Sequence, residues 1–239
     1  MVGMRGLPEE RRTRLEDLVA AGSVVSAASG RPVSRRAEEH AAGPVLPVLP
    51  VLPGLAGLLP EGGLRGGGVY AVEGSVLLGA ALLAEASRSG RWGAVVGLPA
   101  LGAEALAQLG ARLDRLAVVP APGRSWANVV GTLAEAVSVI LAAAPAGIAP
   151  AEAGRVEARL RQQGCALVVQ GGWPRPDARL RLARSEWLGI GAGHGHLGEH
   201  RVAVAAELRR EAGRERFAEL LLPEGTALAP VTAIGAVAS

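Results

Sequence analysis

Gly74 and Gly79 stand five residues apart in VEGSVLLGAALLAEA, behind the apolar run GVYAV and ahead of an amphipathic helical pattern. This is the spacing of a phosphate-binding loop, G-x-x-x-x-G-K-[ST]. In such a loop backbone amides cradle the phosphates, the Lys neutralises them and the hydroxyl ligates Mg²⁺. Here Ala80 and Ala81 occupy the Lys and Ser/Thr places, and Val76, Leu77 and Leu78 are bulky where amides should curl round a phosphate. Two methyl groups supply neither a charge nor a metal ligand. The apolar run VSVILAA (137–143), whose end should carry a magnesium-holding Asp, finishes in Ala142 and Ala143. Gly97, Leu98 and Pro99 stand where a catalytic Glu should follow the second strand. Three losses in register lead to the expectation of no catalytic residue, no cofactor and no metal.

Other constellations are weaker. His194, His196 and His200, with Glu199, could bring imidazoles to a metal, but a Gly-rich loop offers no outer support, and solvated histidines are the better reading. Gly193, Gly195 and Gly198 match G-x-G-x-x-G, yet a strand-like segment follows where a helix should begin. Trp173, Arg175, Arg179, Arg181, Arg184 and Trp187 form a basic stretch with flanking aromatics. Stacking combined with guanidinium contacts is how single strands are held without sequence preference, so weak DNA contact is expected here, beside the plainer reading of a solvated face. Arg155, Arg159 and Arg161 share a helical segment with Glu152 and Glu157, a mixed-charge face. No G-x-S-x-G elbow occurs, and Ser75 has no nearby His.

The elements that must position these residues are legible from periodicity. GVYAV (68–72), WGAVVG (92–97), LAVVP (116–120), VSVILAA (137–143) and CALVVQ (165–170) are apolar throughout, as strands buried on both faces of a parallel sheet are. Helical patterns over 78–89, 102–111, 125–136 and 149–164 separate them. The alternation predicts right-handed crossovers and an α/β, mostly parallel, doubly wound sheet. EWLGI (186–190) and RVAVAAE (201–207) flank a Gly/His loop and predict a C-terminal antiparallel hairpin, with one more strand and a tail in 211–239.

Apolar types make up 49% of the 239 residues but aromatics only 3%, so the core over residues 56–210 must be aliphatic. The chain has no Lys, and its pI near 10.2 reports weak buffering above neutrality more than a nucleic-acid surface. A single cysteine, Cys165, suits a reducing compartment. The polar start and the lack of an apolar run near ~18–20 residues point to a cytoplasmic protein without membrane contact. Residues 7–20 read as an amphipathic helix with Leu7, Leu15, Leu18 and Val19 on its apolar edge. PVLPVLPVLPGL (44–55) reads as an extended, semi-rigid connector, so residues 1–55 form an arm whose deletion should leave a folded core.

LLPEGGLRGGGVYAVEG and LGARLDRLAVVPAPG resemble segments of RecA recombinases around the first strand and after the second, and Gln170 falls near a RecA polar switch position at a strand end. Within that superfamily LLPEGGLRGGG, APAEAGRVEARLRQQGCALVVQGGW and SEWLGIGAGHGHLGEHRVAV resemble the actinobacterial branch of the ImuA group. The likeness covers about residues 56–207 and rests on no motif as specific as an intact phosphate loop. It implies a RecA-like fold and an accessory role in SOS-induced translesion synthesis. The implied partners are an ImuB-like polymerase homologue and an error-prone replicative-type polymerase. RecA relatives associate through an N-terminal helix and extended segment, which implies self- or partner-association through the arm. The short GGWPRPDARLRLARS stands in place of RecA's second DNA-binding loop. The reading is a non-catalytic adaptor; the alternative is an ATP-dependent RecA-type motor in which Arg65 or Arg88 replaces the missing Lys.

Overall fold

A computed structural model of the chain describes residues 25–26, 46–188, 199–211, 214–222, 226–227 and 232–235. In chain order its elements begin with β1 (Val25–Ser26), β2 (Val48–Leu49), α1 (Pro53–Ala56), β3 (Leu64–Arg65), β4 (Val69–Glu73) and α2 (Val76–Arg88). Next come β5 (Gly93–Val96), α3 (Ala103–Gln108), β6 (Leu116–Val119), α4 (Trp126–Ala134), β7 (Val139–Ala143), α5 (Pro150–Gln163) and β8 (Ala166–Gln170). The described chain closes with β9 (Ala178–Leu188), β10 (Glu199–Leu208), β11 (Arg214–Leu222), β12 (Thr226–Ala227) and β13 (Thr232–Gly235).

The five apolar runs pair in parallel in the order β6-β5-β7-β8-β4. Alternate residues serve two separate cores. Tyr70, Val72, Val95, Leu141 and Val168 face one with Leu78, Leu82 and Leu83 of α2 and Leu106 of α3. Val69, Ala71, Val96, Ile140 and Val169 face the other with Trp126, Val130 and Leu133 of α4 and Val156 and Leu160 of α5. Helices on both faces explain why these strands carry no polar alternation. Pro150 opens α5 and Gly164, left-handed at φ 66°, closes it, which places β8 two residues later. The expected helix to 136 and strand from 137 shorten by two residues each: α4 stops at Ala134, and a turn through Glu135–Ser138 leads into β7.

Beyond β4 the sheet continues through β9, parallel to it, then antiparallel β10 and β11, to eleven strands among the described residues. The expected C-terminal hairpin is present, but its first strand starts at Ala178, eight residues earlier than Glu186. The basic stretch is thus largely strand. Ala178 and Leu180 are buried in the α2-side core while Arg179 and Arg181 point to the other face, the period-2 pattern of a half-covered strand. Leu182 pairs with Val204 and Arg184 with Ala203, so Ala183 is left over as a bulge.

Asp177 ties three strands together at the start of β9. One carboxylate oxygen accepts from the buried Val69 N–H at 3.0 Å, and the other receives Arg209 Nη2 at 2.6 Å with Arg65 Nη2 at 3.5 Å. Asp177→Ala strands a buried amide and two guanidiniums, so urea denaturation should show a loss of about 1–3 kcal/mol. Nearby, the Tyr70 hydroxyl accepts from Arg65 N at 2.7 Å, and burial pushes its pKa up to about 12.

The Val-Leu-Pro run does not span solvent. Leu49, Val51, Leu52, Leu55, Leu58, Leu59 and Leu64 are all buried in the α2-side core. β2 pairs with β3, and Arg216 of β11 donates to the Gly57 carbonyl at 2.9 Å, clamping α1 in place. The prolines keep the chain extended up to the start of α1, while Leu49, Val51 and Leu52 enter the core. The boundary expected at residue 55 therefore cuts through packed structure.

Candidate functional site

The β4–α2 junction is where a phosphate would sit. Gly74 makes the turn at φ 81°, Ser75 caps the helix, and its Oγ accepts from Leu78 N at 3.1 Å. Gly79 N points to the Ser75 carbonyl at 3.5 Å. The helix thus starts at Val76, and the amides of Leu78 and Gly79 are spent on Ser75 within the chain. The helix expected from residue 78 begins two residues earlier, so a tight turn at Gly74 leads directly into it. Gly79 closes its first turn, and Ala80 and Ala81 open the second, both alanines 0% exposed. A Cβ on Gly79 would come within 2.8 Å of Leu141 Cδ1, so this glycine serves close helix–sheet packing.

The remaining strand ends agree in chemistry. Glu73, ending β4, is ion-paired with Arg179. β5 runs into Gly97, left-handed at φ 70°, and β7 ends in Ala143. Gln170 ends β8; its Oε1 is buried, without a hydrogen-bond partner among the described residues, and 3.5 Å from where a Gly79 Cβ would be. Among the described residues these strand ends thus present one ion-paired carboxylate and one buried amide. Arg65 and Arg88, the arginines expected to stand in for the lysine, are both paired with other residues. Arg65 precedes β4 and reaches Asp177. Arg88 ends α2, about 18 Å along the axis from Val76, and pairs with Glu85 at 2.6 Å.

The expected DNA-contact residues separate. Trp173 is 3% exposed; its ring lies 6.1 Å from that of Trp126, and its Nε1 donates to Glu157 at 2.9 Å. It is a core residue and cannot stack on a base where it stands. Arg179 is held by Glu73 and Arg181 by Glu215 at 2.7 Å. Arg175 and Arg184 are exposed, and neither makes an ion pair among the described residues. Trp173→Ala should lower stability by about 3–5 kcal/mol, as large core truncations do, and leave retention on a single-stranded DNA column unchanged.

His200 is buried and shares a 2.6 Å hydrogen bond with Ser185; burial lowers its pKa. His194, His196 and the arm residues Leu7, Leu15, Leu18 and Val19 lie outside the described residues. Among the described residues no group of three or more His, Cys, Asp or Glu could hold a metal, and no helix is long and apolar enough to cross a membrane. Cys165 is buried, which pushes its thiol pKa up.

Over 79% of its length the chain superposes on the whole of a KaiC-like protein from the hyperthermophilic archaeon Pyrococcus horikoshii, with a TM-score of 0.50 and 14% identity. The fold is RecA-like. Residues 57–175 match the family described as the MT3502 N-terminal domain. The uncharacterized protein Rv3395c of Mycobacterium tuberculosis is 35% identical over 127 residues, 52% of this chain. The chain spans 62% of that relative's length. The matched family segment takes in the β4–α2 junction, α4 and α5, and stops before β9. Within this RecA-like frame, the signal for β9 that composition obscured was the Arg-Leu alternation from Arg179 to Leu182.

Proposed function

We propose that the chain is a non-catalytic RecA-like accessory protein of damage-induced translesion synthesis, which docks an ImuB-like polymerase homologue and through it an error-prone replicative-type polymerase. The observation that carries the non-catalytic part is the start of α2 at Val76, which encloses Ala80 and Ala81 in the core where a nucleotide enzyme keeps a lysine and a hydroxyl. The translesion role rests on the ImuA-like segments around the first strand, along α5 into β8, and through the hairpin. DNA contact, in this reading, is weak and carried by Arg175 and Arg184 alone, with affinity that falls as salt rises.

Titration of the full chain with ATP and Mg²⁺ in a calorimeter should give no binding heat, while an ImuB-like protein should co-purify with it. Saturable ATP binding or turnover would return the reading to an ATP-dependent motor. A folded, nucleotide-free protein that ignores the ImuB-like partner would leave the adaptor without its proposed role.

A further inference from the structure

On the layer opposite α2, a groove of about 580 Å³ runs between α4 and α5. Ala127, Gly131 and Val156 form its apolar lining; Asn128 and Thr132 on α4 and Glu152, Arg155 and Arg159 on α5 form its polar lining. The fold does not need a glycine at 131. Its φ is not left-handed, and among the described residues a Cβ there would meet only Arg159 Cγ at 3.9 Å, an ordinary contact. A glycine inside a helix costs about 0.5–1 kcal/mol against alanine, so this position gives up stability for depth that no described residue fills.

The charges of the groove are arranged along α5. Arg155 is exposed, makes no ion pair among the described residues, and reaches only the Ala151 carbonyl of its own helix at 3.4 Å. Arg159, one turn on, is anchored by Glu135 and keeps further guanidinium donors. A guanidinium fork matches a carboxylate in two parallel hydrogen bonds. Glu152 lies about 10 Å along the axis from Arg159. A continuous polyanion such as a nucleic-acid backbone would run against Glu152 and Glu135, whereas a peptide can place its acids on the arginines alone.

We infer that this groove docks an acidic peptide segment of another protein, with Asp or Glu on Arg155 and Arg159 and a small side chain over Gly131. The inference does not depend on who the partner is. A random twelve-residue phage library selected on the immobilised full chain, followed by anisotropy of labelled winning peptides, tests it. Winners should be rich in Asp and Glu, lose at least tenfold in affinity to Arg155→Glu, and fail when their acids are changed to Lys. Gly131→Ala should raise the thermal midpoint yet weaken the same peptides several-fold, a combination that misfolding cannot produce. The inference is overturned by selection that yields no acidic peptides or by winners indifferent to Arg155→Glu. A labelled twenty-nucleotide single strand that binds through Arg155 in their place overturns it equally.

Discussion

Ala80→Lys is expected to unfold this protein and to confer no nucleotide binding. In an open phosphate loop the lysine stem crosses a solvated cleft to reach phosphates. Here Ala80 is fully buried in the second turn of α2, in the core it shares with Leu78, Leu82 and Leu83. Four methylenes in a filled core cost about 1–3 kcal/mol through overpacking, and an unpaired buried ammonium costs several kcal/mol more after relaxation. The sum is of the size of a domain's whole stability, about 5–15 kcal/mol. Ala81→Thr adds one hydroxyl and one methyl to a 0% exposed position and should cost about 1–3 kcal/mol through overpacking. Far-ultraviolet circular dichroism against urea measures both, and calorimetry with ATP and Mg²⁺ follows on any variant that folds. An Ala80→Lys protein as stable as the parent, with nucleotide bound, would mean that the β4–α2 turn opens into a loop and that Ala80 faces solvent.

That expectation separates what spacing can say from what packing decides. The loss of lysine, hydroxyl and acids was plain in the letters at 80, 81, 142 and 143, because chemistry needs those atoms whatever the backbone does. The closure of the loop was not, since it depends on Ser75 capping α2 early and on Gly79 lying against Leu141. The parallel sheet was legible because strands buried on both faces have no polar residue to confuse them. β9 was hidden by its charges: four arginines between 175 and 184 look like one basic surface until the strand period sends Leu180 inward and Arg179 and Arg181 out to Glu73 and Glu215. Trp173 misled for a related reason. Its neighbours in sequence are polar, but its neighbours in space are Trp126 and α5.

Two truncations should behave in opposite ways. Removal of residues 1–45 takes the two-residue edge strand β1 off β6 but leaves every buried residue of the Val-Leu-Pro segment in place, so the remaining chain should still fold, with a cooperative thermal transition. Removal of residues 1–55 takes Leu49, Val51, Leu52 and Leu55 out of the core, each of them 6% exposed or less. At about 1.5–3 kcal/mol for each buried aliphatic side chain, the loss is roughly 6–12 kcal/mol, enough to consume a typical domain's stability. It also strips β3 of its only paired strand among the described residues and leaves Arg216 without the carbonyl of a packed Gly57. The shorter deletion is therefore the one that can test the arm. If Leu7, Leu15, Leu18 and Val19 mediate self- or partner-association, the 1–45 deletion will stay folded by calorimetry while losing higher-mass species in light scattering and the ImuB-like protein in co-purification. Assembly unchanged by that deletion removes the arm from the interface. A folded 1–55 deletion would show that the leucines of the Val-Leu-Pro run contribute little to the core they enter.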